Sequence, residues 1–164
     1  MRVAAEKDFK LKPAEIKVAE NPVEKTRILV ATIVDPLPGG AHAQISYVFG
    51  YKSKKLIQIG LLWTKAVDRS VTSQRLIADA QILQNYFRSV GYRPDSVAFN
   101  AAFAKGVVAF RGNDKDNHAT VLILEGKITK NATGALVLTE AQQLSLFYSA
   151  NPDHPDVATA APPR

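Results

Sequence analysis

Hydrophobic and polar positions divide the chain into a patterned middle and two unpatterned ends. Residues 1–25 alternate charged and small side chains, with prolines at 13 and 22 and no sustained apolar face. This reads as an exposed arm, or one ordered by a partner. From Arg27 the texture changes. Ile28-Leu29-Val30-Ala31-Thr32-Ile33-Val34 is β-branched and apolar at successive positions, the mark of a strand covered on both faces. The prolines and glycines of residues 35–40 end it.

The next two runs predict a hairpin. Ile45, Tyr47, Phe49 and Tyr51 share one face, and Ile57, Ile59, Leu61 and Trp63 share another. Both sets are odd-numbered, so their apolar faces coincide only when paired residues have equal parity. A three-residue loop, Lys52-Ser53-Lys54, satisfies this by pairing Phe49 with Ile57, Tyr47 with Ile59 and Ile45 with Leu61. Such loops favour glycine at the third position, which here is Lys54.

Thr72 or Ser70 is a suitable cap for a helix in which Leu76, Ala80, Leu83, Phe87 and Val90 form the apolar stripe. Gly91 and Pro94 stop it. Its outer face is expected to carry Gln74, Arg75, Asp79, Gln81, Gln84, Asn85 and Arg88. Short strands follow near 96–100, 107–110 and 118–124, with a turn-rich loop at 112–117 between the last two. Thr139 and Gln142 have the spacing of a capping box. With Ala141, Leu144 and Tyr148 on one face, they predict a short C-terminal helix ended by Asn151-Pro152. Residues 151–164 are rich in proline, alanine and aspartate and are expected to be disordered.

The predicted fold is therefore α+β. An antiparallel sheet is built as a β-meander, a long helix and a further hairpin, with the long helix on one face and a short helix at the C-terminus. The domain occupies 26–150, between an arm at 1–25 and a tail at 151–164. With 164 residues, one domain of ordinary size fits. The apolar fraction of 46% and charged fraction of 22% are those of a globular protein. No apolar run reaches the length of a membrane span, and the start lacks the apolar stretch of a signal peptide. The expectation is a soluble protein, cytoplasmic or exported with its signal already removed.

Charge and chemistry narrow the function only partly. The absence of cysteine removes disulfides, thiolate nucleophiles and cysteine-ligated metal sites. The net charge is +6, of which residues 28–105 carry nine Lys/Arg against four Asp/Glu. Within that stretch Lys52, Lys54, Lys55, Lys65 and Arg69 form a candidate polyanion surface, with Tyr51 as a stacking platform. The competing reading is a charged hairpin tip that keeps the sheet soluble. Tyr47, Phe49 and Trp63 are expected in the core, with a ligand pocket as the alternative.

Asp114-Lys115-Asp116-Asn117-His118 with Glu125 resembles the register of a calcium loop, but the fifth and sixth positions are His118 and Ala119 and the flanks read as strands. A tight turn is the expectation. His42, His118 and His154 have no zinc-ligand spacing. No nucleophile elbow or phosphate-binding glycine fingerprint is present in the sequence. No cofactor, metal site or catalytic residue is expected. Asn131-Ala132-Thr133 has the form of a glycosylation acceptor, relevant only in a secretory host.

The runs Tyr47–Gly50, Lys55–Ile59, Tyr86–Tyr92 and Val108–Asp114 resemble small exported bacterial proteins of unestablished function. That resemblance assigns no family and transfers no functional residue. The leading expectation is a non-catalytic binding or accessory module with a protein partner, a subunit of a larger bacterial assembly. Binding of nucleic acid or another polyanion through the basic hairpin is the alternative. An enzyme using the carboxylates of Asp114 and Asp116 comes third, and it requires them to lie in a cleft with perturbed ionisation.

Overall fold

The computed structural model describes residues 12, 15–38 and 41–158. Most of the expected arm, Gly39-Gly40 and the last six residues of the tail lie outside that set. Among the described residues, eight strands form one antiparallel sheet: β1 (Lys17–Glu20), β2 (Arg27–Ile33), β3 (Ala43–Phe49), β4 (Leu56–Thr64), β5 (Ala98–Phe103), β6 (Gly106–Asn113), β7 (Ala119–Lys130) and β8 (Leu136–Ser149). Their order across the sheet is β1-β2-β3-β4-β8-β7-β6-β5. Two four-stranded meanders thus meet edge to edge where β4 pairs with β8. Helix α1 (Ser73–Ser89) carries the chain from one meander to the far edge of the other.

The C-terminal helix expected from Thr139 is not formed; residues 136–149 are the longest strand of the sheet. Two signals compete in that segment. The spacing of Ala141, Leu144 and Tyr148 suits a helix, but Leu144, Leu146 and Tyr148 also alternate, and strand pairing rewards that alternation. Leu144 lies opposite both Trp63 and Leu124, and Leu146 opposite both Leu61 and Leu122. A helix would forfeit both ladders and expose the centre of the sheet. Gly126 makes the long pairing of β7 with β8 possible. It sits at a register shift where an added Cβ would overlap the Glu140 carbonyl oxygen and approach the Ala141 Cα to 3.0 Å.

The hairpin of β3 and β4 follows the parity argument. Ile45 pairs with Leu61 and Tyr47 with Ile59. A bulge then shifts Phe49 onto Leu56 instead of Ile57. Lys54 takes the left-handed conformation, φ +56°, that glycine would adopt more cheaply. Strand β2 is covered less completely than expected. Leu29, Ala31 and Ile33 are buried, while Ile28 and Val30 on the other face are half-exposed and Thr32 is exposed.

Helix α1 begins where Thr72 accepts the Arg75 backbone N–H on its side chain at 3.2 Å. Leu76, Ala80, Leu83 and Phe87 are buried against the sheet, as the stripe predicts. Two positions differ. Val90 is 37% exposed. Asp79, expected on the outer face, is 1% exposed. Arg75 Nε donates to its Oδ2 at 3.0 Å, and Arg75 Nη2 donates to the Pro38 carbonyl at 2.6 Å. The pair fixes the start of the helix to the loop after β2. Position 79 flanks the apolar stripe, so a paired carboxylate can be buried there.

The core is aromatic beneath the second half of the helix. Phe87 stacks on Phe110 with centroids 4.9 Å apart, and Tyr92 and Phe99 tilt against Phe110 at 5.0 and 5.4 Å. Trp63 is 1% exposed, and Tyr47 and Phe49 pack partly buried against the same core. Among the described residues, no helix is long and apolar enough to cross a membrane.

Candidate functional site at the tail end of the sheet

Strand directions place four segments at one end of the sheet. These are the β1–β2 turn, the β3–β4 tip (residues 50–55), the β6–β7 turn (114–118) and the segment after β8. The C-terminal end of α1 arrives there too. At this end, between β4, β7, β8, the β6–β7 turn and the end of α1, lies an open cleft of about 420 Å³. Its walls are mainly apolar, from Leu56, Ile57 and Ile59 on β4 and Val90 after the helix. Tyr92, Thr120 and Tyr148 add hydroxyls, and Asp114 and His118 stand at the rim.

The two phenols differ in their partners. Tyr92 donates to Thr120 Oγ1 at 2.9 Å. The Tyr148 hydroxyl makes no hydrogen bond among the described residues; the side chain is 37% exposed, and its partial burial, with Tyr92 and Tyr86 close by, pushes its ionisation up to about 12. It therefore stays a neutral O–H donor over the physiological range. Tyr86 is 60% exposed and continues the aromatic surface onto the helix.

The carboxylates of the third expectation belong to a turn. Asp114 Oδ1 accepts the backbone N–H groups of Asp116 and His118 at 2.9 and 2.8 Å, and Oδ2 meets His118 Nδ1 at 2.9 Å. These bonds hold its ionisation below the ordinary value, led by the His118 backbone N–H. A general acid needs the opposite shift. Side-chain oxygens of Asp114 and Asp116 and an imidazole nitrogen of His118 do converge within 4.8 Å. Glu125 is seven residues along β7 from His118 and accepts from Gln143 Nε2 instead. The calcium-like register is thus not assembled as a loop. Asn131 likewise serves a turn: its Oδ1 accepts the N–H groups of Thr133 and Ala135, and Gly134 sits at φ +81°.

The five basic residues separate into two groups. Lys52, Lys54 and Lys55 are exposed on the β3–β4 tip. Lys65 and Arg69 follow β4 at the opposite end of the sheet, about 30 Å away at ~3.3 Å per strand residue.

The tip also holds an anion from its own chain. Asp156 accepts the backbone N–H groups of Lys52 and Ser53 at 2.9 and 2.7 Å, and its carbonyl accepts that of Tyr51 at 2.8 Å. The Ser53 hydroxyl, then the Lys52 and Ser53 backbone N–H groups, hold its ionisation down to about 2. Gly50 leaves the space, since a Cβ there would lie 2.7 Å from the Asp156 carboxyl carbon. The sequence showed the lysines of the tip but not Asp156. A glycine opening a lysine-rich tip, with aspartates in the tail, was the only trace of this contact. No protein-family model matches the chain, and neither a curated protein nor a solved structure matches it.

Proposed function

We propose that the protein is a non-catalytic binding module, an accessory subunit that engages a protein partner through the cleft at the tail end of the sheet. The observation that carries this reading is the apolar cleft itself, with Tyr148, 37% exposed, presenting a phenol that makes no side-chain hydrogen bond among the described residues. A ligand group that is apolar and ends in an acceptor satisfies both features. Tyr86 and Val90 extend the cleft as exposed apolar surface, and tyrosine-rich surface is typical of the energetic centres of protein interfaces. The test is capture from native extract at low and high salt with the intact chain and with Tyr148→Ala. A defined protein held at high salt by the intact chain and lost from the variant supports the reading. Equal retention by both contradicts it.

A second reading has its own observation. The β3–β4 tip offers backbone N–H groups that already hold a carboxylate, framed by Lys52, Lys54 and Lys55. It supports binding of a polyanion at the tip, with Lys65 and Arg69 too distant to share the same short ligand. This reading predicts affinity that falls steeply with salt and is lost on joint substitution of the three tip lysines. Loss on substitution of Lys65 and Arg69 alone would contradict it.

A further inference from the structure

The contact between Asp156 and the tip has the form of a peptide-recognition site filled from within. Two adjacent N–H groups converge on one carboxylate, a third takes the main-chain carbonyl of the same residue, and a glycine makes room. Successive backbone N–H groups of this kind form a concave anion site. The carbonyl contact adds a requirement that free phosphate does not meet, because it reads a residue within a chain. Lys54, held at φ +56°, completes the turn that aims these groups.

The segment around Asp156 is held at a few surface points. Ala150 donates to the Ile57 carbonyl at 2.9 Å, Asp153 accepts from Asn117 Nδ2 at 2.9 Å, and Ala158 donates to the Glu24 carbonyl at 2.8 Å. These bonds are mostly exposed, so each is individually weak against water. The tail wins the site because it is tethered. Asp156 follows the last residue of β8 by seven positions, and a tether that short gives an effective concentration of about millimolar or above.

We propose that the β3–β4 tip is a receptor for an aspartyl segment of a partner protein, and that residues 151–158 of this chain occupy it as a latch. The proposal rests on the second reading above, that the tip is an anion site. The partner's segment binds by displacing the tail, which frees the β1–β2 turn and the β6–β7 turn from their shared strap. An acidic peptide is the favoured class because the site takes both a carboxylate and a main-chain carbonyl.

The test uses the full chain, its Asp156→Ala variant, and a labelled peptide copying residues 151–158. Anisotropy reports affinity, and the Lys52 and Ser53 amide resonances report occupancy of the tip. The peptide should bind Asp156→Ala about tenfold or more tighter than the intact chain. An Asp-to-Asn change in the peptide, or Gly50→Ala added to the variant, should abolish that gain. Equal binding to variant and intact chain overturns the latch and leaves the tip as an anion site. If millimolar peptide moves neither amide in the variant, the receptor and the second reading fall together. Inorganic phosphate competing as well as the peptide overturns the aspartyl specificity.

Discussion

Replacing Arg75 with methionine should destabilise the protein far more than its partly exposed position suggests. Asp79 is 1% exposed and Arg75 supplies its ion pair, with Nε 3.0 Å from both carboxylate oxygens. Arg75→Met leaves a carboxylate buried without its counter-charge, and breaking buried pairs from one side costs about 3–5 kcal/mol. It also releases the Pro38 carbonyl. For a domain of this size, such a loss lowers Tm by about 10 °C. Asp79→Leu should cost about 1 kcal/mol, because the remaining arginine can turn toward water. The double variant should recover most of the loss, since a buried pair replaced by apolar groups is often neutral. Urea denaturation of the four proteins at pH 7 gives the coupling energy directly. If Arg75→Met costs less than about 1 kcal/mol, the carboxylate is not a buried partner-dependent charge, and the argument for the helix anchor fails.

Thr72→Ala removes the cap of α1 and should cost about 1 kcal/mol in urea denaturation, while Thr72→Asp should restore most of it. Gly126→Ala places a Cβ against the backbone of β8. It should cost more than about 3 kcal/mol or reset the β7–β8 register, which amide exchange over residues 126–141 would reveal. Asp68 and Asp156 both ionise near 2 when folded, against an ordinary 3.8. Asp68 is held there by the backbone N–H of His42, then by the hydroxyl and N–H of Ser70, and Asp156 by the Ser53 hydroxyl and the tip N–H groups. Their contribution is full above about pH 4 and is lost as pH falls toward 2. Urea midpoints should therefore drop across that window, and less steeply in Asp68→Asn.

Much of the fold was legible because hydrophobic period and parity are local signals. The stripe of Leu76, Ala80, Leu83 and Phe87 could only be a helix face, and odd parity fixed Tyr47 against Ile59. The last strand was misread because its apolar residues fit two periods at once. The choice lay in Trp63 and Leu124, which flank Leu144 but are distant in sequence. The same limit hid the site. Lys52, Lys54 and Lys55 announced a basic tip, yet their separation from Lys65 and Arg69 depends on the direction of β4. Asp79 looked like surface because its partner Arg75 lies on the same helix, and the Pro38 carbonyl that Arg75 also binds is distant in sequence. The cleft joins β4, β7, β8 and the end of α1, and nothing in a single segment marks Tyr148 as different from a core residue.

The central claim is that the tail end of the sheet is the recognition surface. Amide-resonance mapping of the intact chain, titrated with the protein captured from extract, tests it most directly. Shifts confined to residues 50–59, 90–92, 114–120 and 148–158 are the predicted result. Shifts centred on Lys65, Arg69 and the 131–135 turn, at the opposite end of the strands, would contradict it.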